Sequence, residues 1–290
     1  MIRFGLIGVG RWGTNILNTL KEIKGVEVVV DSGDGVDGVI VATPGSTHAE
    51  VAMPYVEAGV PTFIEKPMTT SLKDAKRIKR AAKSIVMVGH LHLYNPSFLK
   101  VKELAGKIGK ICMISFEGMN DGPVRNDMSA LWDWGPHGVS MMVDLLGKAP
   151  REAQAWGHTW LKPGTKVYDA AEVKLIFPGN VEGMLSVNWL APEKRVKLTM
   201  IGSKGSVIWD DASNKKVALH RGDKLTHPRY GKQRPLKLEL EAFIEAIKMK
   251  KQPLADVNNG LAVVKILSAA EKSITLDGKR VTMDKSGGGE

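Results

Sequence analysis

A chain of 290 residues, with average charge content and few aromatics, is long enough for two globular domains, each with its own core. Cys112 is the only cysteine, which excludes an intrachain disulfide and a thiolate metal cluster, and His158, His220 and His227 lack metal-ligand spacing, so no metal site is expected. No apolar run approaches a membrane span and no segment reads as a targeting signal, which makes a reducing cytoplasm the expected location. The formal charge of +10 suits nucleic acid or small anions. Its densest basic run, Lys73 to Lys83, winds around a helix whose Ala75, Ile78 and Ala82 face inward and has no interleaved aromatics. That run reads as a solvated helix face, and no nucleic-acid partner is expected.

In chain order, Phe4-Ile7, Val26-Val30, Val39-Ala42, Thr62-Ile64 and Val86-Gly89 read as buried parallel strands, with helices at 14–24, 47–58 and 71–83 between most of them. This alternation is that of a doubly wound α/β sheet. Between the first strand and first helix stands Gly8-x-Gly10-x-x-Gly13. Gly8 suits a tight turn, Gly10 a close approach of pyrophosphate, and Gly13 close packing of helix on strand. Arg11 and Trp12 sit inside the same motif. A connecting helix is expected at Pro96 to Leu104. Strands in succession follow: Ile111-Glu117, Arg151-Trp156, Ala170-Phe177, Val181-Trp189, Val196-Ile201, Ser206-Trp209 and Val217-Leu219. Short turns such as Pro178-Gly179-Asn180 make this sheet largely antiparallel. Helices are expected at 136–146, 237–250 and 256–273, and Ser286 to Gly289 should be a loose tail. The resulting organisation is a Rossmann-type domain over 1–92 and an α+β domain over 93–290.

The glycine motif, Ala42-Thr43-Pro44, Glu65-Lys66-Pro67 and Asp133-x-Gly135-x-His137 occur in that order, followed by Asn188-Trp189, Ile201-Gly202-x-x-Gly205 and Pro253-Leu254-Ala255-Asp256. The chain resembles the Gfo/Idh/MocA family of nicotinamide-dependent oxidoreductases over nearly its whole length. His90 to Pro96 and Trp132 to Ser140 look most like the nucleotide-sugar and amino-sugar dehydrogenases. The resemblance implies hydride transfer between a nicotinamide dinucleotide and a secondary hydroxyl or ketone of a carbohydrate-like molecule. It assigns catalysis to Lys66, Asp133 and His137, with His137 as base. Those residue types suit the chemistry: alcohol oxidation needs a base near neutrality, a cation for developing alkoxide, and a group to orient them. Asp133 and His137 are four apart and share a face if both are helical. Pro136 leaves two arrangements: a helix beginning there, with Asp133 on a loop, or a kinked helix beginning near Ser129.

Arg11, Trp12, Thr43, Pro44, His48, Glu65 and Lys66 are expected beside the cofactor, although His48 equally suits a helix-start hydrogen bond. Lys66, Tyr94, Asn95, His137, Trp160 and Asn188 are expected to contact substrate. Asp31 closes the second strand, where a carboxylate reads the ribose of NAD. Only Asp31 to Asp37 connect that strand to the next, so the usual additional helix and strand are missing. Passing back along one strand and across another requires roughly 20 Å, within the ~25 Å reach of such a link. The adenosine edge should therefore be open, and Arg11 is an alternative partner for pyrophosphate or a 2′-phosphate. NAD and NADP both remain, with a slight preference for NAD. In this family the second-domain sheet commonly forms an oligomer interface, which implies a homodimer or homotetramer. Two rival readings are action on a different cyclic polyol or carbonyl compound and a catalytically silent dinucleotide sensor; Lys66, Asp133 and His137 argue against the sensor.

Overall fold

The structure, a computed structural model, describes residues 1–283. The glycine-rich tail expected at 286–289 lies outside them. In chain order the helices and strands are β1 (Ile2–Ile7), α1 (Arg11–Lys21), β2 (Val26–Val30), β3 (Gly38–Val41), α2 (His48–Ala58), β4 (Thr62–Ile64), α3 (Leu72–Ala81) and β5 (Val86–Val88). Then come α4 (Pro96–Leu104), β6 (Ile111–Asp121), α5 (Ala130–Leu146), β7 (Glu152–His158), β8 (Ala170–Phe177) and β9 (Val181–Asn188). The remainder is β10 (Leu190–Gly202), β11 (Gly205–Asp210), β12 (Val217–Arg221), β13 (Lys224–Thr226), α6 (Pro235–Met249), α7 (Val257–Thr275) and β14 (Val281–Thr282). Two compact units result: Met1–Asn95 with Gln233–Val264, and Pro96–Lys232 with the chain from Lys265.

The first unit contains a five-stranded parallel sheet in the order β2-β1-β3-β4-β5. The seven-residue link from β2 to β3 passes β1, as its reach requires. Asp31 turns the chain at φ 51° while its N–H bonds Leu6 O at 2.8 Å. The link then runs back along β1. Ser32 O occupies the place of a Cβ at position 5, 2.2 Å from where that atom would be, so glycine there makes the passage feasible. Asp37 closes the link by accepting the Arg3 N–H at 2.7 Å and donating its own N–H to Arg3 O.

A parallel sheet needs apolar cover on both faces. On one face Ile16 and Leu20 of α1 are joined by Leu240, Phe243 and Ile244 of α6, packed over Phe4, Ile40 and Phe63. The Phe243 ring lies 5.6 Å from that of Phe4 and 5.7 Å from that of Phe63. Beside β5, Asp256 bridges Met87 and Ala255 O accepts the Val88 N–H. The expected boundary thus needs correcting. The chain leaves the first unit after Asn95, close to the anticipated 92, but 233–264 returns to clothe the parallel sheet instead of belonging to the second domain.

In the second unit nine strands form one sheet, ordered β13-β12-β11-β10-β6-β9-β8-β7-β14. It is antiparallel except between β6 and β9. Strands β13 and β14 are too short for periodicity to reveal, and β10 begins at Leu190, earlier than the expected Val196, across Pro192. Helix α5 begins earlier than 136 and follows the second of the two arrangements Pro136 left open: Ser129 is its N-cap and Pro136 lies inside it. An internal proline removes one helical hydrogen bond. Burial of Leu131, Trp132, Val139, Met141 and Met142 offsets that loss. Gly138 lets the helix approach the sheet, since a Cβ there would meet Phe116 at 2.5 Å and Leu185 at 3.1 Å.

Candidate active-site residues

In the first unit the glycine turn has the shape the spacing implies. Gly8 adopts φ 93° against the backbone of Ala42 and Thr43, and a Cβ on Gly13 would lie 2.0 Å from Gly8 O. At Gly10 a Cβ would meet nothing within 4 Å. Gly10 is the N-cap of α1, and no side chain caps that end. The first-turn N–H groups therefore face an open cradle suited to an anion. A dinucleotide pyrophosphate fits these residues. Asp31 is exposed and its Oδ1 accepts the Gly8 N–H at 3.0 Å, which ties the end of β2 to the turn. Arg11 and Trp12 are exposed in the first turn of α1, Thr43 is half-buried after β3, and Pro44 is exposed.

Glu65, His48 and Tyr94 differ from expectation. The Glu65 side chain is buried; its Oε1 accepts the Trp12 indole N–H at 2.6 Å and its Oε2 the Lys66 N–H at 3.1 Å. It joins the glycine turn to the Lys66 loop, and its oxygens face protein donors rather than a cofactor. Burial pushes this carboxyl up to about 7, against opposing contributions from Trp12 and the Lys66 charge and N–H. His48 is also buried, its ring nitrogens 2.8 Å from Thr43 O and 2.7 Å from Pro67 O. That clasp between two loops is the local hydrogen-bonding arrangement open to His48. The Tyr94 hydroxyl accepts the Ala255 N–H at 3.2 Å, holding the returning segment, and Asn95 is buried. His90 follows β5, with Nδ1 2.6 Å from Asn259 Oδ1. Burial, reinforced by the Lys66 charge and opposed by Asn259, holds His90 down to about 4. It is therefore neutral near pH 7.

In the second unit Asp133 and His137 lie one turn apart on α5. Asp133 Oδ1 is 3.2 Å from Arg125 Nε, and Oδ2 accepts the Trp189 indole N–H at 3.1 Å. Asp133 also occupies the first helical turn, where a negative charge is favourable. The His137 ring is half-buried, 6.0 Å from that of Trp134. Arg125 carries no sequence signal, whereas Trp189 stands in the quoted Asn188-Trp189 pair and its contact with Asp133 was missed. The Asn188 Oδ1 accepts the N–H groups of Leu190 and Ala191, shaping the passage from β9 to β10. Trp160 is exposed and stacks on His158 with centroids 4.3 Å apart. Among the described residues no group of three or more His, Cys, Asp or Glu could hold a metal, and no helix is long and apolar enough to cross a membrane.

Two family models match the chain: an oxidoreductase family with an NAD-binding Rossmann fold over residues 23–90, and the GFO/IDH/MocA C-terminal domain over 98–208. Inositol 2-dehydrogenase of Rhizobium meliloti (strain 1021) is 23% identical over 327 aligned positions, covering 94% of this chain and 97% of that protein. Among solved structures, a putative oxidoreductase from Magnetospirillum magnetotacticum MS-1 is 28% identical with a TM-score of 0.81, covering 93% of this chain and 99% of that one. An inositol dehydrogenase homolog from Azotobacter vinelandii, complexed with NADH and myo-inositol, has a TM-score of 0.84 at 16% identity and covers 97% of each chain. With both domain models matched in order, the chain belongs to the Gfo/Idh/MocA family of oxidoreductases and carries its NAD-binding Rossmann domain.

Proposed function

We propose that this protein is a dehydrogenase of a secondary hydroxyl on a sugar or cyclic polyol, with His137 as base, Lys66 as the cation beside the reacting oxygen, and Asp133 as the group that orients the histidine. The observation that carries this reading is the position of Asp133 one turn before His137, with both carboxylate oxygens directed at Arg125 and Trp189. A carboxylate fixed in this way limits the orientations open to its neighbours on the same helix face. His137 would take the hydroxyl proton, while Lys66 would stabilise charge developing on oxygen. Gly8, Gly10 and the first turn of α1 would hold NAD, which when bound supplies the hydride acceptor. Asp31, already fixed to the glycine turn, would accept from the ribose and repel a 2′-phosphate, so we expect a slight preference for NAD over NADP. The inositol dehydrogenase relatives support a cyclic polyol or sugar. We also expect a cytoplasmic enzyme and a homodimer or homotetramer formed through the second-unit sheet.

The test is NADH formation from NAD with myo-inositol, UDP-N-acetylglucosamine and related cyclic hydroxyl compounds, followed by Lys66→Ala and His137→Ala on the best substrate. Each variant should lose about 10²-fold or more in turnover. Thermal stabilisation by NADH should change little, because neither residue belongs to the pyrophosphate cradle. Turnover close to the parent in both variants would reject the assignment.

A further inference from the structure

From Ala130 to Met142 every residue of α5 is buried except Trp134 and His137, which are half-buried. Residues three apart are neighbours on one helix face, and helical side chains lean toward the N-terminus, so the His137 ring reaches back over the turn that carries Trp134. Their ring centroids are 6.0 Å apart and the planes are tilted by 57°. A molecule that reaches His137 therefore meets the indole of Trp134 beside it. That indole is held in place. Its N–H donates to Asn120 Oδ1 at 3.1 Å, and Asn120 Nδ2 donates to Gly122 O. The Gly122 N–H donates to Trp189 O at 3.1 Å, and the Trp189 indole donates to Asp133 Oδ2. This chain of contacts returns to α5 at the residue next to Trp134. Gly118 on β6 leaves room for the arrangement, since a Cβ there would lie 3.0 Å from Trp134 Cβ. Trp132 and Trp189 cannot serve in the same way, because both are buried with their indole N–H groups on Glu271 and Asp133.

We propose that Trp134 is a substrate-binding residue that selects cyclic substrates: its indole takes the C–H face of a sugar or cyclitol ring whose reacting hydroxyl stands at His137, and Asn120 positions it. A hydroxyl within hydrogen-bond reach of His137, about 3 Å, brings the carbon skeleton that bears it into contact range of an indole centred 6.0 Å from the imidazole. Such a ring has a rim of hydroxyls and a flatter face of C–H groups. The rim suits the imidazole, and the C–H face suits an aromatic surface, which buries apolar area without demanding a hydrogen bond. An open-chain polyol offers the same hydroxyls but no preformed face, and it loses more conformational freedom on binding. Asn120 acts through Trp134: by holding the indole N–H it keeps the ring beside His137 before any ligand arrives.

This inference rests on the reading of His137 as the base, but its test measures binding rather than turnover. Calorimetry on the full chain with NADH present would compare two ring probes, myo-inositol and UDP-N-acetylglucosamine, with the open-chain polyol mannitol. At least one ring should bind more tightly than mannitol. Trp134→Ala should weaken that ring about tenfold, the effect of losing one aromatic contact with its buried area, and leave mannitol and NADH unchanged. Trp134→Phe should stay within about threefold of the parent, whereas Trp134→Leu, apolar but without a flat face, should resemble the alanine variant. Asn120→Ala should weaken the ring about threefold. Failure of both rings to bind the parent, equal ring affinity in parent and Trp134→Ala, equal losses for ring and mannitol, or rescue by leucine as complete as by phenylalanine would each overturn the proposal. Unchanged ring affinity in Asn120→Ala would remove the positioning role. If the alanine variant does not fold, the phenylalanine and leucine variants decide. Ring binding that depends on Trp134 while Lys66→Ala and His137→Ala keep their turnover would reject the catalytic reading alone. Lost turnover in those two variants with ring affinity indifferent to Trp134 would reject this inference alone.

Discussion

Glu65 in the first unit and Asp133 in the second are both buried, and each accepts an indole N–H, from Trp12 and Trp189 respectively. Their remaining surroundings are different. Asp133 faces the guanidinium of Arg125, whereas Glu65 accepts the Lys66 N–H and its charge helps to raise the buried Glu239 carboxyl. Burial is the largest influence on the Glu65 carboxyl and raises it, with Trp12 and Lys66 opposing. Asp133 can orient a neighbour through a fixed ion pair, while Glu65 titrates close to neutrality and can alter the charge around the Lys66 loop. Similar burial and similar indole donors therefore do not imply equivalent roles.

Removing the indole donors should expose this difference most strongly. Trp189→Phe removes a donor from a buried carboxylate and should cost about 2 kcal/mol, measured by urea unfolding. Trp12→Phe should cost less, about 1 kcal/mol, because Trp12 is 39% exposed and water can replace its donor. Equal losses would break the comparison.

The pH dependence of stability should sharpen it. Glu65 is raised from 4.5 to about 7 on folding and Glu239 is raised as well, so between those values the folded state binds more protons than the unfolded state. The Glu65 contribution is fully present below about pH 4.5 and is lost as pH rises through about 7. The melting temperature of the parent should accordingly fall more between pH 5 and pH 8 than that of Glu65→Gln. A steeper fall in the variant would reverse the assigned sign. The smallest effect should come from Arg125→Ala. Its side chain is 43% exposed, and such a surface-accessible ion pair contributes roughly 0–1 kcal/mol. Turnover should respond more than stability, because Asp133 would lose a partner that orients it; an unchanged turnover would limit Arg125 to a surface contact.

Much of the architecture was legible locally. The β1–Gly8–α1 turn, the five strands of the parallel sheet and α4 follow from apolar runs, glycine spacing and helical periodicity. For helix α5 the sequence left two starts open, at Pro136 or near Ser129, and tertiary burial decides for Ser129 although Pro136 is a local signal against a continuous helix. The same limit applies to side-chain roles. Glu65, His48 and Asn188 occupy recognisable motif positions, yet their polar atoms are directed into loop and strand contacts that only the folded chain creates.

The sequence by itself determined the order of the motifs, the parallel and antiparallel halves, and the short Asp31–Asp37 passage that fits beside Gly5. These are properties of spacing and chain reach, which neighbouring residues already contain. Only the tertiary structure decided that α6 would complete the nucleotide-binding unit, that Glu239 would be buried where the Glu65 charge acts on it, and that Arg125 and Trp189 would flank Asp133. Those outcomes depend on contacts between residues distant along the chain, where burial of shared apolar faces, rather than local periodicity, selects the partners.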